Sequence, residues 1–184
     1  MSSSVSVQGD AKARLFCALR LPDDAIESLV AWQRRLPPGA FRLVPPENLH
    51  VTLAFLGYRS AGDVPVVCGA LRDASAAAAR PLLRVAGYRE ARSVGMLVLN
   101  DEGGRAASLA GDLAARLEAL GVYERERRPW LAHVTVVRFR KPPRLVPALP
   151  DLGEVSPSDA AVYSSVLRSD GAQYAVLESV ALGG

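Results

Sequence analysis

The chain has 184 residues, of which 49% are apolar and 22% charged, and carries a formal charge of +3. That balance is typical of an ordinary soluble globular protein. No run approaches the roughly 18 apolar residues of a membrane span, and Cys17 and Cys68 are too few and too widely spaced for a disulfide framework or a zinc site.

Residues 1–12 read as a flexible N-terminal tail, with a Ser-rich start that lacks the apolar run of a signal peptide. Residues 13–184 read as a single domain in a reduced, cytoplasmic setting. Ala13 to Leu21 alternates and suits a first strand. Pro22-Asp23-Asp24 opens an amphipathic helix with apolar residues from Ile26 to Leu36, stopped by Pro37-Pro38-Gly39. Phe41 to Val44 is a short strand, Pro45-Pro46-Glu47 a turn, and 48–56 a strand ending at Gly57. Asp63 is placed to cap a second helix, with Pro65 in its first turn, running to Ala79.

Leu82 to Glu90 and Val94 to Asn100 form a strand pair, and Asp101 to Gly104 turns into a third helix over 105–120, closed by Gly121. Gly103-Gly104 lacks the pattern of a phosphate loop and reads as a plain turn. Glu124 to Arg128 is a solvated loop, and 131–139 a strand. Pro142 to Pro157 holds five of the 13 prolines and predicts an extended connection. Ala160 to Leu167 and Tyr174 to Leu182 close the chain as strands around an Asp170-Gly171 turn.

Inside two of these strands stand His50-Val51-Thr52-Leu53 and His133-Val134-Thr135-Val136. They use every histidine and every threonine of the chain. On a strand, residues two apart share a face, so each motif offers an imidazole beside a hydroxyl. The motifs lie 83 positions apart, each preceded by a strand and a helix, which suggests a two-fold repeat with both motif faces lining one cleft. Two imidazoles across a cleft suit metal-free phosphodiester chemistry. One takes a proton from the attacking oxygen, the other gives one to the departing oxygen, and the threonines bind the phosphate. The residues alone leave open which His is acid and which is base. Arg supplies 20 of the 22 basic residues, a composition that favours anionic partners, although a general preference for Arg in the coding sequence accounts for most of it.

Residues Pro46 to Gly57 and His133 to Arg138 resemble the paired H-x-T-x signatures of the 2H phosphoesterase superfamily, and within it the RNA 2′,3′-cyclic phosphodiesterases, or 2′-5′ RNA ligase family. Arg14 to Leu19 resembles that family's opening strand. Tyr163 to Leu177, with Ser165, Leu167, Gly171 and Tyr174, resembles its closing segment. Residues 87–100 lack the Phe-Pro and Trp landmarks of the subfamily. The resemblance implies an α+β fold of two pseudo-symmetric lobes of antiparallel sheet plus helices, with the active site in the cleft between them. It also implies hydrolysis of RNA 2′,3′-cyclic phosphate ends to 2′-phosphomonoesters without a metal; no cofactor is expected, and the chain is expected to act as a monomer.

On the matching positions His50 is the proton donor and His133 the proton acceptor, while Thr52, Thr135 and Arg138 bind the phosphate. Strict alternation puts Arg138 on the face opposite His133, unless a bulge turns it. Phe16 is a candidate base contact. The competing readings are a 2H phosphodiesterase acting on small cyclic nucleotides or 2′-5′ linkages, and an RNA-end-binding module with little catalysis.

Overall fold

The computed structural model describes residues 11–169 and 171–183. The elements, in order, are β1 (Lys12–Arg20), α1 (Asp23–Gln33), β2 (Phe41–Leu43), β3 (His50–Ser60), α2 (Val64–Ala76), β4 (Leu83–Glu90), β5 (Val94–Asp101), α3 (Arg105–Ala119), β6 (His133–Phe139), β7 (Asp159–Arg168) and β8 (Gly171–Ala181). The expected elements are all present, with shifted ends. The start of the folded region moves to before residue 13, because Lys12 pairs with Ser60 in the β1–β3 ladder and the Ala11 carbonyl accepts from Ala61 N at 2.9 Å. The rest of the expected tail, 1–10, and Asp170 of the expected turn lie outside the described residues.

Helix α1 buries Ala25, Leu29, Trp32 and Gln33, a stripe at helical spacing. It ends at Gln33, short of the expected Leu36, and Arg35 and Leu36 fall back to i−3 bonds on Trp32 and Gln33. Pro37 disfavours helical geometry at the residue before it. Helix α2 stops at Ala76 instead of Ala79, where the C-terminal chain crosses and Gly183 N donates to the Ser75 carbonyl at 2.9 Å. Asp63 does not cap α2. Its carboxylate accepts from Ser60 N at 3.2 Å while Ser60 Oγ accepts from Gly62 N at 3.1 Å, closing the turn before the helix. Asp101 caps α3, accepting from Ala106 N at 3.0 Å and Ala107 N at 2.8 Å. The proline-rich connection is extended, touching the sheet at the Leu83–Val155 bridge.

The eight strands of the described residues join one antiparallel sheet, in the order β4-β5-β6-β3-β1-β7-β8, with β2 also paired to β6. The two expected lobes are its halves, β6-β5-β4 with β2 and β3-β1-β7-β8. They meet where β3 and β6 share the single register pair Val51–Val134. Buried residues of all three helices and of β1, β3, β5 and β6 form one apolar core, so the helices cover one face of the sheet. The other face is open and carries a small cluster of Phe16, Ala18, Ala161, Tyr163 and Tyr174.

Helix α3, which follows the second half's β5, packs on β3 of the first half. Helix α1, which follows β1, reaches the second half in return: Gln33 Nε2, buried, donates to the Val44 carbonyl at 3.0 Å and the Val136 carbonyl at 2.7 Å. Each motif strand is thus braced by the helix of the other repeat.

Candidate active site

The Val51–Val134 pair is the local axis of the site. Both valines point into the helix-covered core. Their neighbours therefore face the opposite way, which puts His50, Thr52, His133 and Thr135 together on the open face. All four line one cleft of about 740 Å³. The first seven residues of β3 and the seven of β6 share the same burial sequence, half-buried at the His and Thr positions and buried at the two residues that follow Thr.

Those two consecutive buried residues mark a bulge in each strand. Opposite β5, Thr135 pairs with Met96 but Val137 with Gly95; opposite β1, Thr52 pairs with Ala18 but Ala54 with Cys17. An extra residue restarts the alternation. Arg138, five residues after His133, therefore returns to the open face and lines the cleft, and strict alternation fails there. The same bulge turns Phe55, five residues after His50, into the cleft.

Each imidazole is oriented by the backbone two residues before it. His133 Nδ1 donates to the Leu131 carbonyl at 2.8 Å. His50 has the matching backbone bond to Asn48. A carbonyl only accepts, so these bonds fix the protonated nitrogen and leave Nε2 as the working atom. His50 Nε2 lies 3.0 Å from Thr52 Oγ1, and with the ring proton on Nδ1 it accepts from that hydroxyl. Trp130 Nε1 donates to the Thr52 carbonyl at 3.0 Å, tying the approach to β6 to the first motif strand.

The site is electrostatically lopsided. Five arginines, at 14, 42, 128, 138 and 168, face the cleft against Glu47 and Glu126, which favours an anion. The rings of Phe16 and Tyr174 pack on His50 with centroids at 5.0 and 5.7 Å. Burial pushes the His50 imidazole down to about 4, the Asn48 bond opposes this, and the nearby His133 and Arg138 depress it further. A midpoint near 4 leaves His50 neutral at pH 7.

Phe16, the candidate base contact, borders the cleft. It is 3% exposed, its ring stacked against His50 and against Tyr163 at 4.8 Å. Little of its face is exposed, and its ring packs against the His50 imidazole. The loop expected to be simply solvated, 124–128, brings Glu126 and Arg128 to the rim of the cleft, paired with each other at 2.6 Å. Arg42, opposite Arg138 in the β2–β6 ladder, and Arg14 also line it without having been singled out as site residues. Among the described residues no three His, Cys, Asp or Glu side chains gather as a ligand set for a metal. No described helix is long and apolar enough to cross a membrane.

The chain is 33% identical to the RNA 2′,3′-cyclic phosphodiesterase of Thermus thermophilus over 93% of its own length and 91% of that protein's. It belongs to the LigT-like 2H phosphoesterase family. The family model described as LigT like phosphoesterase matches residues 19–90, which include the first motif. The crystal structure of TT0787 from the same Thermus species superposes with a TM-score of 0.77 at 31% identity, covering 93% of this chain and 98% of that one. Escherichia coli LigT complexed with 3′-AMP superposes with a TM-score of 0.81 at 25% identity, covering 95% of this chain and all of that one. The shared LigT-like fold is a curled antiparallel sheet with few helices.

Proposed function

We propose that this LigT-like phosphoesterase hydrolyses the 2′,3′-cyclic phosphate at an RNA end to a 2′-phosphomonoester by a two-histidine mechanism, acting as a cytoplasmic monomer without a metal. The observation that carries the reading is the pair of backbone-oriented His-x-Thr units, related across Val51–Val134 and opening on one arginine-lined cleft. The free thiols Cys17 and Cys68 suit a reducing compartment.

His133 Nε2 takes a proton from water as its oxygen bonds to phosphorus. The P–O3′ bond breaks on the opposite side, and His50 Nε2 delivers a proton to the departing O3′. The donor role asks His50 to be charged, and its burial, with His133 and Arg138 nearby, disfavours that. An anionic phosphate between the two rings reverses the local field and recruits the proton on binding. Once His50 Nε2 carries hydrogen, Thr52 Oγ1 no longer donates to it and is free to donate to a non-bridging oxygen, as Thr135 does from the other half. Arg138 neutralises the developing charge. After product leaves, proton exchange with solvent returns both rings to their starting states.

The test is turnover of an RNA oligonucleotide ending in 2′,3′-cyclic phosphate by wild type, His50→Ala and His133→Ala. Each variant is expected to lose at least 10²-fold in rate, the span of one general acid or base, while still retaining the oligonucleotide on a binding assay. A double variant as fast as wild type overturns the mechanism. A wild type that binds the end without turning it over leaves only the binding-module reading.

A further inference from the structure

The open face of the first half continues beyond His50 and Thr52 as a strip that the phosphate chemistry does not use. Phe16 pairs with Phe55 but Leu15 with Gly57, so Leu56 and Gly57 stand together against Leu15 in a second bulge of β3. Gly57 takes φ +71°, a backbone angle that glycine adopts without strain. Phe55 and Tyr58, three residues apart, would face opposite ways on a regular strand. The bulge puts both on the open face.

Arg14 is the direct ladder partner of Tyr58. Its guanidinium lies 4.5 Å from the centre of the Phe55 ring and donates from Nη1 to Ser165 Oγ at 3.1 Å. Tyr58 itself is 63% exposed. Lys12, two residues from Arg14 along β1 and so on the same face, is also exposed. Among the described residues no carboxylate pairs with Arg14 or Lys12. At the place in β6 that corresponds to Phe55 stands Arg138, so among the described residues the second half does not repeat this combination of a cation with rings.

An exposed ring beside a braced guanidinium and a further ammonium is the make-up of a platform for single-stranded nucleic acid, where rings stack bases and cations track phosphates. A cyclic phosphate ties up O2′ and O3′ of the last ribose. The rest of the RNA therefore leaves the cleft only through that nucleotide's 5′ oxygen. With the departing O3′ toward His50, the last nucleoside lies on the β3–β1 side, and the chain runs out over Arg14.

We infer that Arg14 and Tyr58 form a subsite for the nucleotide preceding the cyclic-phosphate end. Arg14 holds the linking phosphodiester, Tyr58 stacks the penultimate base, and Lys12 meets the next phosphate. The inference rests on the proposed function, and it makes the preferred substrate an oligonucleotide rather than a mononucleotide.

The experiment compares kcat/KM for adenosine 2′,3′-cyclic phosphate with that for an adenosine dinucleotide bearing the same end, the two matched at each of several salt concentrations, in wild type, Tyr58→Ala, Tyr58→Phe and Arg14→Gln. Wild type is expected to favour the dinucleotide by about 10-fold or more, the scale of one stacked base. Tyr58→Ala brings that ratio toward unity and Tyr58→Phe preserves it. Arg14→Gln lowers the ratio and removes about one phosphate contact from the salt dependence. Equal efficiency on both substrates in wild type, or a ratio in Tyr58→Ala that matches wild type, overturns the subsite alone. Hydrolysis of neither substrate by wild type overturns the reading of the cleft, and the subsite with it.

Discussion

Titration of His50 is the sharpest physical consequence of the way its ring is packed. Burial against Phe16, Tyr163 and Tyr174 is the first cause of its depression from 6.5 to about 4, and the backbone bond to Asn48 only partly offsets it. The shift is worth on the order of 3 kcal/mol between the two protonation states. Between pH 4 and 6.5 the unfolded chain binds a proton that the folded chain refuses, so stability rises with pH through that window and is lost on acidification. Against a total stability of roughly 5–15 kcal/mol this is a visible fraction.

The assay is a nitrogen-detected NMR titration of the imidazoles. With only two histidines in the chain, the two sets of resonances separate without ambiguity. The perturbation is Tyr174→Ala, which removes a half-buried ring 5.7 Å from the imidazole and lets water reach it. Wild-type His50 should titrate near 4, and Tyr174→Ala should move it upward toward 6.5. A wild-type His50 that titrates between 6 and 7, or one that Tyr174→Ala leaves in place, refutes the claim that ring burial sets its protonation.

Arg138→Gln should raise the His50 titration midpoint, because Arg138 is one of the charges that lower it, and should cut kcat/KM by about 10-fold or more through loss of a charge-assisted phosphate contact; NMR and steady-state rates read the two effects. The limb of the pH profile assigned to the proton donor should sit at higher pH in kcat than in kcat/KM, since bound phosphate restores the His50 proton. Gln33→Leu should cost about 1–3 kcal/mol in urea unfolding, because Val44 O loses a buried donor and Val136 O keeps only the bond from Val44 N. Gly95→Ala should destabilise by about 1–3 kcal/mol, as the added methyl collides with the Tyr88 hydroxyl and comes within 2.5 Å of Val137 Cγ2 at the β6 bulge that aims Arg138.

The strands and helices follow from ordinary patterning, and the pairing of His with Thr on one face follows from the two-residue period. What the sequence does not display is where that period breaks. Leu53-Ala54 and Val136-Val137 are doubled apolar steps that mark the bulges once the ladders are known, but alone they read as a fully buried run. Phe55 and Arg138 reach the cleft only through those bulges. Phe16 is ambiguous in the sequence for a related reason: an aromatic residue on the open face near a motif His suits stacking on a base as well as on an imidazole, and its packing against Tyr163 and Tyr174 emerges only in the fold. Glu126 and Arg128 come to the cleft through a loop whose path no local pattern encodes.

The central claim concerns which bond breaks and what assists it. The direct measurement is phosphorus NMR of the product formed from an oligoribonucleotide with a 2′,3′-cyclic phosphate end, incubated with the protein in excess EDTA and with the His50→Ala, His133→Ala double variant in parallel. A 2′-phosphomonoester from the wild type alone, at a rate unaffected by the chelator, is the expected result. A 3′-phosphomonoester, or turnover that EDTA abolishes and zinc or magnesium restores, would contradict it.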